Sequence, residues 1–386
     1  MDGLNRVIHS VRLVDGGREM PDSWLVVRDG RVAVQGTGDA WRDAVAEEPV
    51  DEVVDATDAA GPGAILTPGF IDIHGHGGSG AAYDEGAEAI RTARELHRAH
   101  GTTRAVISLV TASVDDLVRR VAAIADLAET DATVLGSHLE GPFLDPGHHG
   151  AHDPELLIGP AADAMARLLE AGRGTVRQVT IAPELPGALT AIERIVAAGA
   201  AAAVGHTDAD AETARRAFDA GATILTHAFN AMPGLHHREP GPIGAATADP
   251  RVTLEVIADG VHLDPEVVRI AFAAAPGRIA LVTDAMAAAG SADGDYVLGA
   301  LAVRVENTVA RLADGTIAGS TLTQDAALRT AVAAGVTLPT AVTALTATPA
   351  RAIGRPDLGR LEIGSPADAV LLDADLRVRR VWTGRA

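Results

Sequence analysis

Eight times between residues 71 and 283, a short apolar, strand-like run gives way to a polar or helical stretch. That alternation constrains the fold more than any other feature of the chain. The runs occupy residues 71–74, 103–110, 133–138, 179–182, 202–206, 223–227, 254–258 and 279–283. Helical periodicity fills 88–100, 114–127, 161–169, 188–198, 211–220 and 264–274 between them. Strand–helix alternation of this kind over about 250 residues predicts a (β/α)8 TIM barrel. The competing α/β architecture is a doubly wound open sheet. Against it, polar residues suited to metal binding end most of the runs: His74 with His76, His138 with Glu140, His206, His227, Asp259 with His262, and Asp284. A barrel gathers strand ends around one mouth, whereas an open sheet spreads them along an edge. The barrel is the better reading.

The two ends of the chain read differently. Short strands are expected at 6–14, 24–27 and 31–35, the last two joined by the Asp29-Gly30 turn, and again at 369–372 and 378–382. Residues 1–64 and 352–386 are therefore expected to form a small β-sandwich domain around a barrel of residues 65–351.

Composition narrows the chemistry. A hydrophobic content of 47 % supplies ample core for a chain of 386 residues. The formal net charge of −20 argues against nucleic acid or an anionic membrane as partner. The opening MDGLNRVIHS lacks a signal-peptide core, and the longest apolar stretch, residues 195–204, is too short to span a bilayer, so a cytoplasmic location is expected. Cysteine is absent, which removes disulfides and thiolate metal sites. Lysine is absent too, so all 32 basic residues are arginine. Schiff-base chemistry, a P-loop lysine and a carboxylated-lysine metal bridge are excluded. If two metals are bound, a carboxylate must bridge them.

His74 and His76 lie one residue apart at the end of the first run, so an extended backbone can aim both rings at one point. Converging neutral imidazoles are a usual start of a transition-metal site. Glu140 ends the third run in His138-Leu139-Glu140-Gly141-Pro142, and with His206 and His227 it makes a Glu/His/His set that leaves coordination positions open. Asp284, after the eighth run, is placed to take a proton from water and pass it to a leaving group. Asn230, Ala231 and Arg238 belong to a loop after the sixth run, where a guanidinium suits phosphate or carboxylate. His262 could polarise a carbonyl. His148 and His149 read as solvated or lid residues, and His9, His97 and His100 as structural.

The motifs PGFIDIHGHGGSG, HLEGPFL, GAHDP, GHTDAD, THAFNAMPGLHHREPG, IADGVH, LVTDAM and IAGSTLT, in this order, resemble the N-acetylglucosamine-6-phosphate deacetylases of the amidohydrolase superfamily. The likeness runs from about residue 60 to Gly364-Ser365-Pro366-Ala367-Asp368. It implies a barrel with a terminal β-sandwich, a homodimer, and hydrolysis of the acetamide of N-acetyl-D-glucosamine 6-phosphate to D-glucosamine 6-phosphate and acetate. It further implies Glu140, His206 and His227 as metal ligands and Asp284 as the proton-transferring aspartate. Ala151, His152, Asn230, Ala231, Asp259, His262, Ile317, Ala318 and Gly319 match substrate-contacting segments, and Arg238 a phosphate-binding arginine from the neighbouring subunit. Some members replace both histidines of the first strand with amides and hold one metal. This chain keeps His74 and His76, which points to a two-metal form bridged by Glu140. One or two divalent cations per subunit are expected, zinc first, with iron or manganese also compatible with Glu/His ligands. The alternatives are an N-acetylgalactosamine-6-phosphate deacetylase or another amidohydrolase acting on cyclic amides such as dihydroorotate. More remote is a non-catalytic metal-binding barrel, for which Asp284 would have no use.

Overall fold

In the computed structural model, which describes residues 4–385, eight parallel strands form one sheet in strict chain order. They are Phe70–Asp72, Thr102–Val110, Val134–Glu140, Val176–Ile181, Ala201–Val204, Ile224–Leu225, Thr253–Val256 and Ile279–Leu281. These stretches are rich in Val, Ile, Leu and Ala and almost wholly buried, as strands covered on both faces must be. Side chain and main chain together join the first strand to the last. The Asp72 carboxylate accepts from Thr283 Oγ1 at 2.6 Å and from Thr283 N at 3.3 Å. Asp284 N donates to the His74 carbonyl at 2.8 Å. The barrel expected from the sequence is the fold that forms.

Helices Ala87–Ala99, Val114–Thr130, Ala162–Ala171, Ala188–Ala197, Ala211–Asp219, Gly241–Ala248, Pro265–Ala274 and Gln324–Ala333 succeed the strands in turn. Several start where the sequence supplies a cap: Ser113 Oγ accepts from Asp116 N, Asp210 from Thr213 N, and Asp264 from Glu266 N just ahead of Pro265. Helix Gly241–Ala248 has no amphipathic pattern, because Gly241, Pro242, Ile243, Ala245 and Ala246 are all buried. None of the helices is long and apolar enough to cross a membrane, among the described residues.

An element absent from the sequence reading follows the eighth strand. Gly294–Leu298, Leu301–Glu306 and Val309–Arg311 form a three-stranded antiparallel sheet. Leu298, Val303, Val305 and Ala310 pack with Val110, Met286, Ala288 and Ala318, so this sheet is fastened to one side of the mouth.

The small β domain from both chain ends is a single seven-stranded sheet. Its order is Val378–Trp382, Ala369–Leu372, Ile65–Pro68, Arg6–Asp15, Arg18–Arg28 and Arg31–Thr37, with Glu52–Asp55 paired beside Arg6–Asp15. Every strand contributes to one apolar cluster, through Ile8, Leu25, Val32, Val54, Leu66, Leu371 and Trp382. On the other face, helix Trp41–Glu47 covers Val7, Trp24 and Val26. The expected boundary at residue 65 falls at the start of a strand that pairs with this terminal sheet, antiparallel to Ala369–Leu372 and parallel to Arg6–Asp15. The chain crosses into the barrel at Gly69, where a Cβ would lie 2.2 Å from Thr103 Oγ1. Only glycine fits.

One buried ion pair ties the two parts together. Arg104, in the second barrel strand and fully buried, donates through Nε to Asp368 Oδ2 at 2.5 Å and through Nη2 to Oδ1 at 3.2 Å. Asp368 also accepts from Gly384 N at 2.8 Å, and its carbonyl accepts from Gly69 N at 2.8 Å. Removing one partner strands the other charge in a dry site. Asp368→Ala is expected to lower unfolding stability by ~3–5 kcal/mol, read from the denaturant midpoint, while an Arg104→Met, Asp368→Leu pair recovers much of the loss.

Candidate active site

The barrel brings its C-terminal strand ends to one point, and Glu140 stands at the centre. His74 and His76 follow the first strand, Glu140 ends the third, and His206, His227 and Asp284 follow the fifth, sixth and eighth. Glu140 Oε1 lies 3.2 Å from His74 Nε2, 3.1 Å from His206 Nε2 and 3.1 Å from His227 Nε2. Oε2 lies 3.0 Å from His76 Nε2. Asp284 Oδ1 is 3.3 Å from His76 Nε2 and 3.6 Å from His74 Nε2. All six side chains are buried. His206, His227 and Asp284 hold φ at +47°, +26° and +49°, a region that non-glycine residues seldom enter. Strain of this kind gathers where a site over-determines the backbone.

Hydrogen bonds on the far side of two of these rings, His74 and His206, fix their tautomers. His74 Nδ1 faces a Glu255 carboxylate oxygen at 3.0 Å, and His206 Nδ1 faces the His148 carbonyl at 2.9 Å. Both partners only accept, so each Nδ1 carries the proton and each neutral ring presents a bare Nε2. The Nε2 atoms of His206 and His227 are 2.9 Å apart and both face Glu140. Bare lone pairs pointing at one another and at a carboxylate repel unless a proton or a cation sits among them. The donor set therefore fits a divalent cation, and it falls into two groups that share Glu140: His74, His76, Glu140 and Asp284, and Glu140, His152 and His206.

His152 enters that second group by position, not by tautomer. Its Nδ1 accepts from Thr111 N at 3.3 Å, and a backbone N–H can only donate. The neutral ring thus carries its proton on Nε2, 3.5 Å from Glu140 Oε2. As it stands, His152 is a donor toward the site. His138, one turn of the pleat below Glu140, has both nitrogens occupied, Nδ1 with Ser108 Oγ at 2.9 Å and Nε2 with Thr180 Oγ1 at 2.8 Å. It packs edge-on against the His74 ring and does not line the cavity.

Charge within the cluster is unevenly shared. Burial pulls the His74 and His76 pKa values down, but Glu140 and Asp284 outweigh it, leaving His74 well above the usual range and His76 at about 9. Burial prevails at His206, held at about 4 despite its bond to Glu140. For Glu140, burial pushes the carboxyl up and the surrounding histidines pull it well below the ordinary value. Asp284 is treated likewise by burial, then by His74 and His76, and settles at about 2. Both carboxylates stay ionised near neutrality, so the centre calls for positive charge.

Above the cluster opens a cavity of about 340 Å³. His76, Glu140, His206, His227 and Asp284 form its floor; Ala151, His152, Asn230, Ala231, His262, Ile317 and Gly319 stand in its walls. Asp259 acts on it through His262: Oδ2 accepts from His262 Nδ1 at 2.7 Å, and Oδ1 from His262 N at 2.8 Å. Ala318, expected at the substrate, and Arg238, expected at the substrate of a neighbouring subunit, do not line this cavity. Ala318 is buried in the apolar cluster of the three-stranded sheet. Arg238 sits on an exposed loop, its Nη1 donating to His237 Nε2 at 2.7 Å, and does not line the cavity. The sequence reading also missed Val110, Leu298 and Thr316 in the wall. Val110 was accessible to it, being the register partner of Glu140 on the neighbouring strand. Leu298 and Thr316 were not, because they depend on the inserted sheet.

Comparison with known proteins points the same way. The amidohydrolase family profile matches residues 65–384. An N-acetylgalactosamine-6-phosphate deacetylase of Escherichia coli O157:H7 is 37 % identical over 385 residues, covering 98 % of each chain. An N-acetylglucosamine-6-phosphate deacetylase of Homo sapiens is 36 % identical over 337 residues, 83 % of this chain and 82 % of the relative. Among solved structures, an aspartate-to-alanine variant of N-acetyl-D-glucosamine-6-phosphate deacetylase from Mycobacterium smegmatis, in complex with N-acetyl-D-glucosamine 6-phosphate, superposes with a TM-score of 0.91 at 42 % identity and covers 98 % of each chain.

The clustering of imidazole Nε2 atoms around Glu140 carries a direct test. Elemental analysis of the purified protein should find about one to two equivalents of divalent metal, and His74→Gln combined with His76→Asn should shift the content from near two toward one. Unchanged stoichiometry would show that these two rings are not ligands.

Proposed function

The chain belongs to the amidohydrolase family, and we propose that it hydrolyses the acetamide of N-acetyl-D-glucosamine 6-phosphate to D-glucosamine 6-phosphate and acetate. The observation that carries this reading is the placement of Asp284 beside the Glu140 cluster on the floor of a cavity walled by Asn230 and His262. The M. smegmatis structure with its sugar phosphate bound, 42 % identical, supports the same substrate. N-acetylgalactosamine 6-phosphate is the second reading, favoured by the E. coli relative that matches this chain over 98 % of its length. Acetate release from the two epimers, assayed side by side, separates them.

Glu140, His206 and His227 would hold one divalent cation, and His74 and His76, with Glu140 as bridge, a second; zinc is the first choice, with iron or manganese suited to the same donors. Bound there, the cation supplies Lewis acidity to water and to the amide oxygen. The protein's own groups do the rest. Asp284, held as a carboxylate, cannot begin as an acid, so it first accepts the proton of the water that attacks the acetyl carbon. It then delivers that proton to the sugar nitrogen as the C–N bond breaks, which frees acetate and the amine. His262, with Asp259 on Nδ1, offers Nε2 to the developing oxyanion when its ring is protonated; such a donor is worth ~3 kcal/mol.

Arg238 is assigned to the phosphate of a substrate bound in a second copy of the chain. Its exposed loop, its place outside the cavity of its own chain and the neighbouring Leu235, 56 % exposed, support that assignment and a homodimer. A dianionic sugar phosphate does not permeate a bilayer, so the same reading places the enzyme in the cytoplasm with its substrate.

Asp284→Asn should keep metal and substrate binding yet lower kcat by at least ~10³. Near-normal kcat with a raised KM would move Asp284 to a binding role. Arg238→Ala should raise KM for the 6-phosphate by the equivalent of ~2–3 kcal/mol and leave the weak reaction of unphosphorylated N-acetylglucosamine unaffected. Heterodimers of Arg238→Ala with Asp284→Asn should regain partial activity, because one site then combines an intact Asp284 with the partner chain's intact Arg238. Absence of rescue in verified heterodimers would count against action in trans.

A further inference from the structure

Glu255 lies in the seventh barrel strand, wholly buried beneath the cluster, and neither the proposed chemistry nor the sequence motifs give it a role. Its carboxylate makes three contacts. Oε2 accepts from His74 Nδ1 at 3.0 Å and from the main-chain N of His227 at 3.3 Å. Oε1 accepts from Gln178 Nε2 at 2.8 Å. Among the described residues, the one basic group within ion-pair distance is the His74 ring. A carboxylate buried this deeply without arginine is strongly unfavourable unless its contacts compensate.

The four rings around Glu140 do not all need such help. His206 is oriented by the His148 carbonyl, a main-chain acceptor. His76 and His227 have buried Nδ1 atoms without a partner. His74 alone is held by a side-chain carboxylate, and that carboxylate decides which nitrogen carries its proton. With the proton on Nδ1, Nε2 is free to act as a ligand; with the proton on Nε2, His74 can only donate to Glu140 and Asp284. His74 belongs to the group with His76, Glu140 and Asp284, and not to the group around His206.

We propose that Glu255 is a positioning residue: it holds His74 in the Nδ1–H tautomer and thereby sets the strength of the cation position formed by His74, His76 and Glu140, leaving the position around Glu140, His206 and His227 largely untouched. The assignment rests on the metal reading of the site given above. It deepens that reading by separating two positions that share one bridging carboxylate.

Chelator-stripped protein titrated with Zn²⁺ against a chromophoric competitor provides the test. The wild type should bind in two steps. Glu255→Gln should weaken one step by about 10- to 100-fold and leave the other within about twofold. Glu255→Asp, which restores the charge on a shorter arm, should recover part of the loss. In the metal-free protein, taken to a pH alkaline enough for the ring to be neutral, ¹⁵N-histidine spectra should show the His74 signal, assigned through His74→Gln, moving from the Nδ1–H to the Nε2–H form in Glu255→Gln. A purely structural role would not move that signal selectively. Equal weakening of both steps, no weakening, or an unchanged tautomer overturns the proposal. Should Glu255→Gln fail to fold, a milder selective loss in Glu255→Asp supports it, and an unselective one overturns it. A wild type that binds no Zn²⁺ overturns the metal reading itself, and the positioning role with it.

Discussion

Glu140, with four imidazole Nε2 atoms 3.0–3.2 Å from its two oxygens, is the contact on which the rest of the mouth depends. Two ionised carboxylates and four inward-facing ring nitrogens crowd together there, and protons held on His74 and His76 offset only part of the repulsion. The fold forces it nevertheless. It draws one ligand-type residue from each of several strand ends and holds three of them at positive φ. The free energy for this comes from elsewhere in the molecule, chiefly the continuous apolar core between barrel and helices. A site so arranged favours binding a cation over remaining without one, because binding relieves the repulsion it was built with.

Rigidity at the opposite end keeps those strand ends in register. Asp368, near the C terminus, pins two barrel strands at once: its carbonyl takes Gly69 N just before the first strand, and its carboxylate takes Arg104 at the start of the second. At the mouth, Asp72 fastens the first strand to the segment that bears Asp284. Burial lifts the Asp72 pKa to about 6 against the pull of its bonds to Thr283 and His74, so this joint uses a carboxyl kept from water. His74 and Asp284 therefore sit at the two ends of one short braced segment. The terminal sheet takes part in the geometry of the mouth through strand register, although it lies on the other side of the barrel.

Much of this was legible in the sequence, for identifiable reasons. Strand–helix alternation revealed the barrel because each strand is short, apolar and followed by a turn. The strand-end positions revealed His74, His76, Glu140, His206, His227 and Asp284 as a set, because parallel strands in a barrel end on one side. Helix Gly241–Ala248 escaped, since a helix buried all round carries no 3.6-residue stripe. The sheet from Gly294 to Arg311 escaped because its strands are short and half exposed, and Leu298 and Thr316 escaped with it. Tautomers were out of reach altogether. Nothing in the spacing tells His152, whose Nδ1 accepts from Thr111, from His206, whose Nδ1 donates to a carbonyl; the distinction rests on contacts between residues far apart in the chain. Glu255 was hidden for the same reason, as one charged residue inside an apolar strand.

The cavity itself limits how an anion could be held. Its walls carry histidines, small residues and apolar side chains, and no arginine lines it among the described residues. The protein as a whole carries a formal charge of −20, so its long-range field repels a dianion. Attraction must therefore be local and short-ranged, within roughly a Debye length of about 8 Å at physiological salt. Arg238 stands on an exposed loop with no carboxylate partner among the described residues, its guanidinium bonded only to the neighbouring His237 ring. In the proposed reading, a site with metal-type donors and a proton carrier inside takes its phosphate-binding cation from a second copy of the chain. That division separates the two demands of the proposed reaction: the barrel interior handles the amide, and phosphate recognition is left to whatever surface meets the mouth.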